Sequence, residues 1–403
     1  MDWQHILASR NTGMKASEIR ELLKLLDQPD IISFAGGIPD PALFPKAEIQ
    51  AAYAQVLDAD PSNAALQYSA SEGYAPLREW IQGEMAKIGA PCGLDNILIT
   101  SGSQQALDYL GKLFLDKDDT ALVGWPSYLG ALGAFNAYEP NYDRLDPKSN
   151  RTAQDFADTA KAKGGTVKFA YMSVDFANPT GVTLDRQDRE NILALADELD
   201  AAIIEDAAYQ SLRYDGEASQ PILAMELAQI GDIDACRTIY TGSFSKTLSP
   251  GLRVGWVVAA KPVIDQMVLI KQASDLHSPT INQMVVNHVA RACFDSHVAK
   301  IRAAYLARRD EMLRALDTHM PDGVEWTQPE GGMFIWMTLP KHINGANLLA
   351  DSIRDYRVAF VPGQAFFADG SGANTMRLNF TNADSDMIET GIARLGQLIQ
   401  SKL

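Results

Sequence analysis

The chain has 403 residues, 46% hydrophobic and 21% charged, the balance of an ordinary globular protein with more than one domain. Its formal net charge of -16 excludes a general role on nucleic acid or an anionic membrane, whose phosphates demand a positive footprint, and no uninterrupted apolar run is long enough to span a bilayer. Cys92, Cys236 and Cys293 have neither disulfide nor metal spacing, and Met1-Asp2-Trp3-Gln4-His5 lacks the basic-then-apolar order of a targeting signal, so a reducing cytoplasm is the expected compartment.

Up to about Pro29 the chain reads as a helical arm. Ile19, Leu22, Leu23, Leu25 and Leu26 recur at helical spacing, with Ser17 as a candidate cap. Such a strip buries little alone and needs the body of the protein or a partner subunit. A short apolar strand from Ile31 then runs into Gly36-Gly37, where a missing Cβ lets a ligand approach the backbone. Ala47 to Asp58 and Tyr74 to Ile88 read as helices. From Ile97 onward strands alternate with helices: Ile97 to Thr100, Ala121 to Gly124, Val167 to Met172, Ala201 to Glu205, Arg237 to Thr241 and Val254 to Ala259 are the strands. Gln104 to Leu115, Asp185 to Leu199 and Pro262 to Ser274 are the helices between and after them. Near-continuous apolar strands in this alternation predict an α/β fold, a mostly parallel sheet covered on both faces, with ligands bound beyond the carboxyl ends of its strands. After Ser278-Pro279-Thr280 a long helical pattern reaches Met320. Short strands at Met333 to Thr338, Val358 to Val361 and Met376 to Phe380 follow, then a last helix from Asp384 to Ile399. The expected division is an N-terminal arm (1–45) packing with the small domain and a dimer partner, a large domain (46–280) and a small α+β domain (281–403).

Five short stretches fall at strand ends. Ser243-Phe244-Ser245-Lys246 and Arg253 lie between two strands. A lysine withdrawn from water near another cation loses basicity and becomes an amine nucleophile, while Ser243, Ser245 and Arg253 suit a phosphate. Lysine and phosphate cradle together suggest pyridoxal phosphate. Ser103-Gln104 open a helix after a strand, a phosphate-binding position or simply a capped helix. Tyr128, in Trp125-Pro126-Ser127-Tyr128, could stack on a planar heterocycle or pack in the core. Asn178, in Asn178-Pro179-Thr180-Gly181, offers an amide to a phenolate-type oxygen, or the stretch is only a turn. Glu205-Asp206 end an apolar strand, where a carboxylate needs a partner: a pyridinium N–H for Asp206, helix capping, or a metal, although no histidine cluster supports a metal. Tyr209 follows closely enough to share the cofactor oxygen with Asn178. Arg377 in an apolar strand needs an anion, either a substrate carboxylate or a structural Asp or Glu.

Taken together, S-x-S-K-x-x-x-x-G-x-R-x-G (Ser243 to Gly255), the N-P-T-G turn, and Val361-Pro362-Gly363 with Phe366 resemble fold-type I pyridoxal-phosphate enzymes, the class I/II aminotransferases, over essentially the whole chain. Ser33-Phe34-Ala35-Gly36-Gly37-Ile38-Pro39 and Leu66-Gln67-Tyr68-Ser69 are most similar to the 2-aminoadipate and kynurenine aminotransferase branch. The resemblance implies a large domain built on a sheet of the seven-stranded kind, a homodimer, and pyridoxal 5'-phosphate as cofactor. It makes Lys246, Asp206 and Tyr209 catalytic, Lys246 bonding the cofactor aldehyde and shuttling the substrate proton. Ser103, Gln104, Ser243, Ser245 and Arg253 would cradle the phosphate, with Tyr68 reaching the neighbouring subunit's phosphate. Tyr128 would stack on the ring, Asn178 and Tyr209 bond its oxygen, and Asp206 pair with its nitrogen. Arg377, Asn178 and the Gly37 backbone would hold the substrate α-carboxylate, and Arg20 a distal carboxylate.

Ala177 stands where relatives often carry Gln, and Ala207-Ala208 where Asp-Pro is frequent. Neither change removes a cofactor-binding group, but both bear on the side-chain pocket. The expected activity is amino-group transfer between an amino acid and a 2-oxo acid. Decarboxylation or β-elimination on the same electron sink is the alternative, and a ligand-sensing module the more distant one.

Overall fold

The computed structural model describes residues 3–14, 30–58 and 63–403; the expected arm helix, with Ser17 and Arg20, lies outside them. In chain order the strands are β1 (Ile32–Ser33), β2 (Ile97–Thr100), β3 (Thr120–Val123), β4 (Asn141–Arg144), β5 (Val167–Met172), β6 (Ala202–Asp206), β7 (Thr238–Ser243), β8 (Gly255–Val258), β9 (Glu325–Trp326), β10 (Phe334–Thr338), β11 (Val358–Ala359), β12 (Val361–Pro362) and β13 (Thr375–Asn379). A seven-stranded sheet runs β2-β8-β7-β6-β5-β3-β4. β8 is antiparallel to β2 and β7, and every other neighbouring pair is parallel.

The strand residues alternate between two buried faces, which is why the strands read as apolar runs. Val123, Phe169, Tyr171, Ile204 and Ile239 join one layer with the helices Ser103–Phe114 and Lys261–Ser274. Leu122, Ala170 and Ile203 join the opposite layer with the helix Arg186–Leu199. β4 has no apolar run and half-exposed side chains, the composition of an edge strand. Its local pattern therefore carries no strand signal, and the two glycines of the helix Leu129–Phe135 likewise weaken the helical one.

A second, antiparallel sheet has the order β12-β13-β10-β9, with β13 at its centre and Arg377 opposite Trp336 and Val361. β1 pairs in parallel with β11. Beyond it, the Phe34 N–H donates to Ala359 and the Asn379 N–H donates to Phe34, so Gly36-Gly37 leaves this smaller domain towards the large sheet. The 40-residue helix Thr280–His319 serves two cores. Val285, Val286 and Val289 pack beside Leu77, Ile81 and Ile99, whereas Ile301, Tyr305 and Met312 pack among β10, β13 and the last helix, Ser385–Gln400. No helix among the described residues is long and apolar enough to cross a membrane.

Candidate active site

The carboxyl ends of β2, β3, β5, β6 and β7 open on one cavity of about 270 Å³. The helix start after β2 supplies Ser103 and Gln104; the turn after β3 supplies Tyr128; the segment after β5 supplies Asn178. β6 ends in Asp206 and leads to Tyr209, and β7 ends in Ser243 and leads to Ser245 and Lys246. Arg253 closes one end. The smaller domain brings Gly37 and Arg377 to the other. A larger, more open hollow of about 530 Å³ beside Trp80 and Phe294 is a surface groove whose lysine pairs with Glu84 and Asp295; it gathers none of these groups.

Lys246 Nζ donates to the Gly37 carbonyl at 3.0 Å. Burial, then the neighbouring Arg377 and Arg253, lower its pKa to about 8 against the opposing attraction of Asp206. The neutral amine that a nucleophile requires is therefore far more accessible than for an ordinary lysine, about a tenth of the population one pH unit below that pKa. Asp206 is buried, and burial raises its pKa; the Tyr171 hydroxyl, 2.8 Å from Oδ2, and the Ala208 N–H, 3.3 Å from Oδ1, favour the ionised form. Its neighbour Glu205 points to the other face of the sheet, where its oxygens accept from the Ile222 and Leu223 N–H groups at 2.8 and 3.0 Å. The capping account holds for Glu205, which caps the helix Ile222–Ile230, whereas Asp206 faces the cavity.

Asn178 joins two further groups. Its Nδ2 donates to the Tyr209 hydroxyl at 3.3 Å, and its Oδ1 accepts from Arg377 Nη1 at 2.7 Å. Tyr209 is buried edge-on against Phe334, and burial raises its pKa. Arg377 is 2% exposed, donates through Nη2 to the Ala35 carbonyl at 3.0 Å, and lies 4.2 Å from the Phe334 ring centre and 5.1 Å from that of Phe366. Burial pushes its pKa down to about 10. Its described hydrogen-bond partners include no carboxylate, and its Nε has no partner among the described residues. A buried guanidinium without an acid among the described residues suits an anionic ligand.

At the other end the helix Ser103–Phe114 begins at Gly102, whose φ is +81°. A Cβ there would lie 2.3 Å from Arg253 Nη2, and one on Gly255 would lie 2.7 Å from the Ser103 nitrogen. These two glycines let the arginine and the helix start meet. Arg253, itself left-handed with φ +52°, donates to the Ser101 carbonyl at 3.1 Å. Ser243 sits on β7 rather than in the turn, and its Oγ accepts the Ser245 N–H at 3.1 Å. Helix N–H groups, hydroxyls and a guanidinium together suit a phosphate. Gln104 turns its amide to the Gly130 carbonyl at 2.6 Å.

Two expected residues are not brought in. Tyr68 is 78% exposed, outside the cavity, with its ring edge-on to His277 at 5.8 Å, and Arg20 lies outside the described residues. At Gly37 a Cβ would meet Phe334 at 3.6 Å, an ordinary contact, so protein packing does not demand glycine there. Tyr171, Ser173 and Gly102 carry no role in the sequence pattern, and Gly255 enters it only as the last residue of the Ser243 to Gly255 motif. Ser173 lines the cavity with a buried hydroxyl that has no partner among the described residues. Tyr171 was readable in principle, since it shares a sheet face with Asp206 once β5 and β6 are paired. No group of three or more potential metal ligands occurs among the described residues.

A lysine of lowered pKa, a helix start facing a guanidinium, a buried carboxylate and a second, buried guanidinium in one cavity suit a phosphorylated aldehyde and an acid. Residues 30–395 match the family model for aminotransferase class I and II. The aromatic-amino-acid aminotransferase 1 of Thermococcus litoralis is 40% identical, over 100% of this chain and 96% of its own length. The crystal structure of Pyrococcus horikoshii kynurenine aminotransferase, in complex with PMP, superposes with a TM-score of 0.91 at 42% identity, covering 100% of this chain and 98% of that one. The α-aminoadipate aminotransferase of Thermus thermophilus, complexed with N-(5'-phosphopyridoxyl)-L-leucine, gives a TM-score of 0.87 at 38% identity, covering 100% and 99%. The chain belongs to the class I and II aminotransferases, pyridoxal-phosphate-dependent transferases of fold type I. The cavity fits that cofactor on its own evidence: the glycine-lined helix start faces Arg253, and a buried carboxylate and a hydroxyl without a partner among the described residues line the same cavity as Lys246.

Proposed function

We propose that the chain moves the amino group of an L-amino acid, 2-aminoadipate, glutamate or an aromatic or aliphatic donor, to a 2-oxo acid such as 2-oxoglutarate in two half reactions of a ping-pong cycle. Arg377 carries this reading. A buried guanidinium bonded to Asn178 and Ala35 but to no carboxylate among the described residues suits the α-carboxylate common to every donor and acceptor. When bound, pyridoxal phosphate supplies an aldehyde carbon and a protonated ring that accepts electrons. Ser103, Gln104, Ser243, Ser245 and Arg253 would hold its phosphate, Tyr128 its ring face, Asn178 and Tyr209 its phenolic oxygen, and Asp206 its ring nitrogen. Lys246, with its pKa lowered to about 8, would hold that aldehyde carbon as a neutral amine and, once the substrate amine displaced it, would move the proton at the substrate Cα. Tyr209 and Asn178 link the oxygen end to the carboxylate end, because Asn178 bonds both Tyr209 and Arg377.

Arg20 would meet the distal carboxylate of dicarboxylate donors. A homodimer is supported by Leu66 and Tyr68, 67% and 78% exposed, which suit burial against a second copy whose phosphate site Tyr68 would complete. The names of the relatives support both an aromatic and a dicarboxylate preference. The test is a panel of amino donors given to the loaded protein without acceptor. A productive donor converts the bound cofactor once, seen as loss of its visible band, and 2-oxoglutarate restores it. Release of carbon dioxide or ammonia in place of that exchange sinks the reading.

A further inference from the structure

Asp206 is held by a side chain on the neighbouring strand. Tyr171 of β5 stands opposite Ile204 of β6, so Asp206, two residues on, lies diagonally across the same face and within reach of a long side chain. The Tyr171 hydroxyl donates to Asp206 Oδ2 at 2.8 Å. Its ring is 1% exposed and packs edge-on against Phe135 at 5.6 Å. The Ala208 N–H on Oδ1 is longer, 3.3 Å.

We propose that Tyr171 is a positioning residue that keeps Asp206 ionised and aimed at the cavity, and thereby sets how firmly the ring nitrogen of the bound cofactor holds its proton. The inference rests on the reading of Asp206 as the partner of that nitrogen. The other groups that act on Asp206 are the Thr241 hydroxyl of β7 and the Lys246 amine, and the Tyr128 and Tyr209 phenols face it. Lys246 cannot serve as a fixed counter-ion, because its nitrogen takes part in the chemistry. Burial and the adjacent Asp206 raise the Tyr171 pKa well above its ordinary value, so its hydroxyl remains a donor through the neutral and alkaline range. A hydrogen bond to a charged acceptor in a dry site is roughly twice as strong as a neutral one. Deleting this hydroxyl therefore removes support from the anion while leaving the ring in place.

The experiment is Tyr171→Phe in the full chain, with two readouts taken without substrate: the affinity of the apoprotein for pyridoxal phosphate, and the pH midpoint of the loaded protein's visible band. Affinity should fall roughly tenfold. The midpoint should move upward, because a ring nitrogen that holds its proton less firmly repels a proton on the lysine nitrogen less. Phe135→Leu loosens the same ring but spares the hydroxyl, and should leave the midpoint in place. In an Asp206→Asn background Tyr171→Phe should change neither quantity. An unmoved midpoint in Tyr171→Phe, or an equal loss of affinity in the Asp206→Asn background, overturns the proposal. If Asp206→Asn alone alters neither readout, the pairing of Asp206 with the ring nitrogen fails first and takes this inference with it.

Discussion

Arg189 and Arg377 are both almost completely buried, yet they are satisfied in opposite ways. Arg189 pairs with Asp175 at 2.8 Å and donates to the carbonyls of Leu184, Gln220 and Val174, so its charge and its donors are used up inside the protein. Arg377 meets an amide, one carbonyl and two aromatic rings, but no acid among the described residues. Glu205 and Asp206 repeat the contrast on one strand: the first is spent on a helix start, the second faces the cavity. A buried charge closed off by its own protein is a staple, while one left short of a partner beside a cavity is reserved for a ligand.

The largest effect tests the open side of that contrast. Lys246→Ala should lower multiple turnover by ~10³-fold or more, and borohydride reduction of the loaded protein should then attach no cofactor at residue 246, as read by peptide mass. Normal turnover in that variant would end the assignment. The two arginines come next. Arg377→Met should raise KM for every amino donor on the order of 10²-fold while leaving the apoprotein's thermal midpoint unchanged or higher. Arg189→Met should instead destabilise by about 3–5 kcal/mol, because Asp175, whose Oδ2 already lacks a partner among the described residues, keeps only Arg213 at 3.4 Å. Equal destabilisation by both variants would erase the distinction between them.

Much of the open side was legible because its residues are contiguous. Ser243 to Gly255 carry lysine, hydroxyls, arginine and glycine in one stretch, and the strands on either side came from their apolar runs. Residues that depend on pairing between distant strands were not legible. Tyr171 reaches Asp206 only through the register of β5 with β6, set after an intervening helix has returned the chain to the sheet. Whether Arg377 faces a substrate or an internal acid depends on which side chains surround β13, something no local pattern records. The same holds for Glu205, whose partner is a helix start 17 residues on. The long helix illustrates it at a larger scale: its sequence shows where it begins, but not that its halves join different cores.

A smaller effect sharpens the closed side through pH. Burial raises the Glu205 pKa from 4.5 to about 7, against the opposing helix N–H bonds. The folded state therefore binds more proton than the unfolded state between those values, so this group's contribution is complete below pH 4.5 and is lost as pH rises through about 7. Glu205→Gln should flatten that decline, by on the order of 2–3 kcal/mol, when apoprotein thermal midpoints of the two proteins are compared across that range. Parallel curves for the two proteins would show that the carboxyl is ionised throughout.

The smallest effect is also the one that separates ligand from scaffold most cleanly. Ser173 buries a hydroxyl that finds no partner among the described residues and lines the cavity, an arrangement that costs stability unless something else bonds to it. Ser173→Ala should leave the apoprotein's thermal midpoint unchanged or slightly higher, since no hydrogen bond within the protein is lost. In the same variant the affinity for pyridoxal phosphate should fall about two- to tenfold, measured by titrating the apoprotein. Opposite signs in the two measurements mark a group held for a ligand, as with Arg377. A fall in apoprotein stability would instead place Ser173 with Arg189, among the groups the protein keeps for itself.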